Sequence, residues 1–235
     1  MDKPRLFLLH FAGGNSYSFQ FLTPLLDGFD VIPVELPGRG RRIKEALLND
    51  FDQAAIDIYG QINARLNDAG FMLYGHSMGA YLGLRVANLL ENAGRAPDHL
   101  IVSGNAGPGL KKRKYIYSCE KEELIDELEN LGGVPAEVLD NEELFGFFEP
   151  ILRADFEIAE RNDLALEPPV QAPIFAMMGS EEDNVGRISN WGRFTRAEFD
   201  HKILQGGHFF IQQHPREVAD VIRNCYLRTM LQARR

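Results

Sequence analysis

The sequence is poor in the residues that build disulfide frameworks and metal centres. Its 235 residues include two cysteines, Cys119 and Cys225, and neither lies in a Cys-x-x-Cys pair or near a histidine at zinc-ligand spacing. Disulfide scaffolds and structural zinc sites depend on such spacing. We therefore expect no disulfide, no metal site and no metal or redox cofactor. The low cysteine content also fits a reducing cytoplasm.

Long apolar runs and an excess of positive charge are also missing. A membrane-spanning helix needs roughly 18 apolar residues, and no stretch approaches that length. The apolar residues 6–9 are interrupted by His10 and are too few for the core of a signal peptide. Nucleic-acid binding needs a concentrated basic surface, whereas the formal net charge is −9. We expect a cytoplasmic protein with no membrane insertion and no nucleic acid as its main ligand.

Two local basic clusters stand out against this acidic background. Each is either a docking surface for an acidic partner or ordinary solvated charge, and the sequence leaves both interpretations open. The first cluster comprises Arg39, Arg41, Arg42 and Lys44, and the second comprises Lys111, Lys112, Arg113 and Lys114.

What the sequence does contain is a regular alternation of short apolar runs with segments of helical spacing. Strands that alternate with helices predict one α/β domain over residues 1–235, with a mostly parallel central sheet and helices on both faces. The predicted strands are residues 6–11, 29–36, 71–74, 100–103, 173–178 and 199–204, and the early predicted helices are residues 18–26 and 51–67.

The pattern becomes wholly helical from about residue 118 to residue 160. We interpret residues 115–165 as a helical lid inserted between two strands, whose many apolar positions are suited to cover a channel for an acyl chain. A plain packed subdomain without gating is the alternative.

The pentapeptide Gly75-His76-Ser77-Met78-Gly79 lies between a predicted strand and a segment of helical character. In a G-x-S-x-G nucleophile elbow the serine occupies a sharp strand-to-helix turn, and the glycines let the two elements approach closely. Ser77 is therefore the candidate nucleophile of a hydrolase or acyltransferase.

A serine nucleophile needs a histidine base, and the base needs a carboxylate that orients it. His208 follows the last predicted strand, after Gly206 and Gly207, and preserves the chain order serine, acid, histidine. The acid comes from a loop after the preceding strand, in which Asp183 is preferred because of its shorter side chain and Glu182 is the alternative. Solvated loop acids are the third interpretation.

Two backbone N–H groups complete the predicted site as an oxyanion hole. Met78 directly follows the nucleophile, and Ala12 lies in the loop after the first strand, where Gly13 and Gly14 allow a close approach. A phosphate-binding glycine loop is the alternative for this segment, but it lacks the expected lysine.

Together these motifs resemble the type II thioesterases of nonribosomal peptide and polyketide synthases and the related medium-chain fatty-acid thioesterases. The resemblance spans nearly the whole chain. It rests on Ala12-Gly13-Gly14, Leu36-Pro37-Gly38-Arg39, the elbow, Leu131-Gly132-Gly133-Val134-Pro135, Leu152-Arg153-Ala154-Asp155-Phe156, Trp191 and Gly206-Gly207-His208-Phe209-Phe210.

The resemblance implies an α/β-hydrolase fold and hydrolysis of acyl or aminoacyl thioesters on the phosphopantetheine arm of carrier proteins. It implies Ser77 as nucleophile, His208 as base, and Ala12 and Met78 as oxyanion donors. The sequence departs from the family at His10, where proline is usual. Loop spacing counted from different ends gives Glu182 or Asp183 as the acid, and Asp183 stays preferred.

Two other functions remain open. The same triad also suits an esterase or acyl-coenzyme A thioesterase for free small molecules, and a carrier-binding module without catalysis is a third possibility. We expect a monomer. Acyl-chain preference, pathway and carrier partner are not set by the sequence.

Overall fold

The computed structural model describes residues 3–67, 69–110 and 115–232. Its centre is a six-stranded sheet of order β2-β1-β3-β4-β5-β6, in which each neighbouring pair is parallel. The strands are β1 (Arg5–Leu9), β2 (Asp30–Val34), β3 (Phe71–His76), β4 (His99–Ser103), β5 (Ile174–Gly179) and β6 (Phe199–Leu204). This confirms the predicted α/β class.

The α-helices of the described residues lie between β2 and β5 and after β6, whereas β1 and β2, like β5 and β6, are joined by 3₁₀ segments and turns. They are α1 (Phe51–Asn63), α2 (Met78–Asn92), α3 (Lys121–Leu131), α4 (Ala136–Leu139), α5 (Glu142–Glu160), α6 (Phe210–Gln213) and α7 (Pro215–Gln232). Short 3₁₀ segments lie at Thr23–Leu25, Gly40–Arg42, Ile116–Ser118, Leu164–Leu166 and Val185–Phe194.

The central strands β3, β4 and β5 are buried along their whole length because both faces of the sheet are covered. Side chains alternate between the faces, so Leu73 joins the core beneath α1 and α2, while Met72 and Tyr74 join the core beneath α7. All residues of β3 and β5 are buried. The predicted placement of helices on both faces is therefore confirmed.

One predicted helix and several predicted element ends are wrong. Residues 18–26 form successive turns and the short 3₁₀ segment, because Pro24 has no N–H to continue an α-helical ladder. Helix α1 ends at Asn63 rather than at residue 67, and β1 ends at Leu9 rather than at residue 11. The long helix α7 was not among the elements indicated by the sequence.

The segment predicted as a lid, residues 115–165, lies between β4 and β5 and is called the helical insertion below. Helices α3, α4 and α5 pack around a small apolar cluster of their own, separate from the two sheet cores. Its buried members are Leu124, Leu128, Leu139, Phe145 and Leu152. The basic cluster Lys111 to Lys114 lies outside the described residues.

None of the described helices has both the length and the apolar character needed to cross a membrane.

Candidate active site

Ser77 lies in the sharp turn between β3 and α2. It is not a glycine, yet its φ of 56° and ψ of −114° place it in a strained backbone region. A Cβ atom on Gly75 would lie 2.1 Å from the Gly79 carbonyl oxygen, and one on Gly79 would lie 2.2 Å from the Leu9 carbonyl oxygen. Strand β1, strand β3 and helix α2 therefore meet at distances that only glycine permits. The turn presents Ser77 at the carboxyl ends of the strands.

A continuous hydrogen-bonded chain runs from Ser77 through His208 to Glu182. The Ser77 Oγ atom lies 2.9 Å from His208 Nε2, and His208 Nδ1 lies 2.8 Å from Glu182 Oε2. The side chains of His208 and Glu182 are 15% and 6% exposed. This geometry suits an Nδ1–H that donates to the carboxylate and an Nε2 that accepts the serine proton.

The structure places Glu182, and not the preferred Asp183, against the ring of His208. The loop after β5 turns back on itself, with the Glu182 N–H directed at the Gly179 carbonyl oxygen at 3.2 Å. The other Glu182 carboxylate oxygen accepts a hydrogen bond from the Gly179 N–H at 2.8 Å. This turn directs the Glu182 side chain towards His208, whereas Asp183 is exposed to solvent.

The two predicted oxyanion donors lie near Ser77. Ala12 and Met78 line the same cavity as Ser77 and His208. Met78 is the first residue of α2, so its N–H is among those that have no acceptor within the helix. Helix N-termini also favour negative charge, which suits a developing oxyanion.

The cavity next to Ser77 has a volume of about 310 Å³ and lies between the sheet and the helical insertion. Its wall is mainly apolar, so it is chemically suited to an acyl chain. The apolar side chains of the wall are Phe11, Met78, Tyr81, Ile116, Leu128, Leu131, Val134, Pro135, Val138, Phe148, Leu152, Phe156, Ala159 and Phe209.

A family model described as a thioesterase domain matches residues 4–226. The chain belongs to the thioesterase family. This agrees with the resemblance seen in the sequence motifs.

Three curated proteins are similar to this thioesterase over most of their length. "Linear gramicidin dehydrogenase LgrE" of Brevibacillus parabrevis is 31% identical, covering 93% of this chain and 86% of its own. "Probable anguibactin biosynthesis thioesterase AngT" of Vibrio anguillarum is 29% identical, covering 94% and 91%. The medium-chain S-acyl fatty acid synthase thioesterase of Rattus norvegicus is 29% identical, covering 94% and 87%.

Solved structures give the same result. BorB, a type II thioesterase from the borrelidin biosynthetic cluster, superposes with a TM-score of 0.86 at 30% identity, covering 95% of this chain and 92% of BorB. YbtT, a type II thioesterase from the yersiniabactin pathway, superposes with a TM-score of 0.87 at 28% identity, covering 97% and 94%. The thioesterase thus has the α/β-hydrolase fold expected of it.

A second histidine of the thioesterase lies directly against His208. The ring of His76 is fully buried, with its centroid 5.0 Å from that of His208 and 5.7 Å from that of Phe11. Its Nδ1 is 2.8 Å from Ser103 Oγ. Burial, and secondarily the neighbouring His208, hold the pKa of His76 well below its usual value. His208 therefore packs against an uncharged ring.

Two of the four residues of the first basic cluster are engaged in ion pairs, which argues against a docking surface made of all four residues. Arg39 is 3% exposed and pairs with Asp155, which is 0% exposed. Arg42 pairs with Asp57 and Glu45. Sequence reasoning missed the role of Asp155, although the residue lies in one of the motifs that carry the family resemblance.

Within the described part of the chain, no group of three or more His, Cys, Asp or Glu side chains is arranged to hold a metal ion. Cys119 and Cys225 are both free thiols.

Proposed function

We propose that this chain is a serine thioesterase that hydrolyses acyl or aminoacyl thioesters from the phosphopantetheine arm of carrier proteins, and so restores stalled nonribosomal peptide or polyketide synthases. The observation that carries the proposal is the hydrogen-bonded chain Glu182–His208–Ser77 at the wall of an apolar cavity. AngT, BorB and YbtT, which belong to the anguibactin, borrelidin and yersiniabactin biosynthetic pathways, support the pathway class.

In the proposed reaction, Ser77 Oγ attacks the thioester carbonyl carbon while His208 Nε2 accepts the serine proton. Glu182 keeps the Nδ1–H of His208 in place and stabilises the imidazolium. The tetrahedral intermediate then collapses, the C–S bond breaks, and His208 returns the proton to the departing pantetheine thiolate.

The acyl-enzyme is then hydrolysed, with His208 acting again first as base and then as acid. Water takes the place of the thiol, His208 Nε2 accepts one of its protons, and the hydroxide oxygen attacks the ester carbonyl carbon. Collapse breaks the bond to Ser77 Oγ, which regains its proton from His208. The acyl group leaves as a carboxylic acid.

We assign the N–H groups of Ala12 and Met78 to the oxyanion hole in both steps. They would stabilise the negative oxygen of each tetrahedral intermediate, and losing one such donor typically raises the barrier by about 3 kcal/mol. The proposed cycle uses only groups of this chain, the thioester and water, so we propose no resident cofactor.

A second candidate is an esterase or acyl-coenzyme A thioesterase for free substrates. The apolar cavity beside Ser77 is formed by this chain alone, so a free thioester of suitable size needs no protein partner to be bound there. The two candidates share their chemistry and differ in what presents the acyl group.

The deciding experiment is intact-mass spectrometry of an acetylated carrier protein incubated with the enzyme, in parallel with acetyl-coenzyme A and a simple acetyl ester. We expect rapid loss of acetyl from the carrier, well above the rate on free substrates. Ser77→Ala should abolish the loss and Ser189→Ala, which changes an exposed serine, should not. Preference for a free substrate would support the second candidate, and full activity of Ser77→Ala would refute the serine mechanism.

A further inference from the structure

A buried ion pair joins the helical insertion to the body of the enzyme next to the active site. Asp155 lies on α5, and Arg39 lies in the loop after β2. The guanidinium holds the carboxylate with both nitrogens, Nη2 donating to Oδ1 at 2.8 Å and Nη1 donating to Oδ2. Neither side chain has appreciable contact with solvent, so both charges depend on this pairing.

The same carboxylate also binds the loop that holds Ala12. Its Oδ2 atom accepts a hydrogen bond from the Gly13 N–H at 2.8 Å. Leu152, one helical turn earlier on α5, lies so close that a Cβ atom on Gly13 would be 2.7 Å from its side chain. Helix α5 therefore contacts the predicted oxyanion loop through one polar and one apolar contact.

The contact with Gly13 controls the orientation of its neighbour. The N–H of Gly13 belongs to the rigid peptide plane shared with Ala12. The Ala12 N–H lies in the preceding peptide plane, between Phe11 and Ala12, and the Gly14 N–H holds that plane by donating to the Phe11 carbonyl oxygen at 2.9 Å. With the Gly13 N–H held by Asp155, both peptide planes that flank Ala12 are fixed, which restricts the backbone rotation that aims the Ala12 N–H. Gly13 itself has a φ of 75°, which leaves this plane without the steric restriction that a side chain would supply.

Charge adds a second constraint. An uncompensated carboxylate beside the oxyanion loop would oppose the negative charge that develops on the substrate oxygen. Arg39 neutralises it at contact distance. On the far side of the loop, Glu35 is a separate anchor, because its carboxylate accepts hydrogen bonds from the Ser16 and Arg41 N–H groups, each at 2.8 Å.

We propose that Asp155 and Arg39 are positioning residues of the oxyanion hole: Asp155 aims the Ala12 N–H through Gly13, and Arg39 holds and neutralises Asp155. This inference rests on the proposed function, since it concerns the same reaction. Because Asp155 fixes α5 to Arg39 and to Gly13, we expect α5 to stay in place. Any opening of the helical insertion would then be a movement of α3 and α4.

Two double variants of Arg39 and Asp155 distinguish a role in positioning the oxyanion loop from a role in folding. Removing one member of a buried ion pair leaves an unpaired buried charge, whereas replacing both members with uncharged residues is often tolerated. Arg39→Met with Asp155→Asn keeps an oxygen that can accept from the Gly13 N–H. Arg39→Met with Asp155→Val has no acceptor. The two variants are equally uncharged at this position and differ mainly in that acceptor.

The measurements are kcat and KM on an acetylated carrier protein and on a p-nitrophenyl ester, the rate of fluorophosphonate labelling of Ser77, and amide hydrogen exchange in the peptide that contains Gly13. We expect the Val variant to lose roughly 10- to 100-fold in kcat and in labelling rate, with KM within about threefold. The Asn variant should stay within about fivefold of wild type. Faster exchange at Gly13 should accompany the loss only in the Val variant.

The matched control is Glu157→Gln, also on α5. Glu157 bonds Asn49 and Arg161 near the surface, so it tests the helix without touching the oxyanion loop, and its kinetics should equal those of wild type. If neither double variant folds, Arg39→Lys provides the second test. Lysine keeps the positive charge but cannot form the bidentate contact with the Asp155 carboxylate, so kcat should fall several-fold at unchanged KM.

A folded Val variant with wild-type kcat and labelling rate would overturn the inference, as would equal losses in the Val and Asn variants or unchanged kinetics of Arg39→Lys. Failure of the proposed function looks different. A wild-type enzyme that is labelled at Ser77 but leaves carrier thioesters intact refutes the carrier substrate, while the labelling contrast between the variants still decides the positioning role. A wild-type enzyme that neither labels nor hydrolyses refutes both.

Discussion

The carboxylate of Glu182 lies 2.8 Å from His208 Nδ1, whereas the adjacent residue Asp183 faces solvent. Glu182→Gln should therefore lower kcat by roughly 10²- to 10⁴-fold, because an amide neither stabilises the imidazolium nor fixes the productive tautomer. Asp183→Asn should stay within about twofold. Steady-state hydrolysis of a carrier thioester measures both. A large loss in Asp183→Asn with an active Glu182→Gln would reverse the assignment.

The glycines of the elbow should be intolerant of even one methyl group. Gly79→Ala would place a Cβ atom 2.2 Å from the Leu9 carbonyl oxygen, so we expect it to lose several kcal/mol of stability or to fail to fold.

Gly60→Ala is the matched control for the elbow. Gly60 lies inside α1 with no atom within 4 Å of the added methyl, and alanine there should stabilise the protein by about 1 kcal/mol. Urea unfolding measures both changes. A Gly79→Ala protein as stable as wild type would contradict the close approach of β1 and α2.

Stability should fall as the pH drops from 7 to 5, in part because of His99. Burial, together with the nearby Arg228, lowers its pKa from 6.5 to about 4. The folded pKa is below the unfolded pKa, so the unfolded chain binds the proton more readily. The contribution of His99 is therefore complete above pH 6.5 and is lost as the pH falls towards 4.

From these pKa values the loss between pH 7 and pH 5 is about 2 kcal/mol, and His99→Gln should remove that part of the pH dependence. The measurement is the free energy of unfolding in urea at both pH values. His201→Gln, which changes an exposed histidine on β6, should leave the pH dependence unchanged. Parallel pH curves for wild type and His99→Gln would disprove this cause.

The size of the cavity should limit the acyl group. Val138 lines the cavity from α4, so Val138→Phe should fill part of its roughly 310 Å³. We expect the ratio of kcat/KM for an octanoyl thioester to that for an acetyl thioester to fall roughly tenfold, because the ring occupies space that the longer chain needs for its apolar contacts. Glu137→Phe places the same ring on an exposed neighbour outside the lining and should leave the ratio unchanged. Equal ratios in both variants would place the acyl chain elsewhere.

Local sequence determined the parallel sheet and the elbow, and it singled out Ser77 and His208, which the structure brings to hydrogen-bonding distance. Each is encoded within a few neighbouring residues: an apolar strand, a glycine that permits a tight turn, and a chemically useful side chain at the strand end. Helix 18–26 was predicted wrongly because apolar spacing dominated over the effect of Pro24 on backbone hydrogen bonding.

The contacts between distant parts of the chain were decided only by the tertiary structure. Glu182 and Asp183 are adjacent carboxylic acids in one loop, and side-chain length favoured the wrong one. The turn after β5 decides between them by directing the Glu182 carboxylate at a histidine 26 residues away. Arg39 and Asp155 are separated by 116 residues, and their pairing arises where α5 packs over the loops after β1 and β2. Sequence patterns report local backbone preferences and burial, whereas the partner of a buried charge depends on which elements the fold brings together.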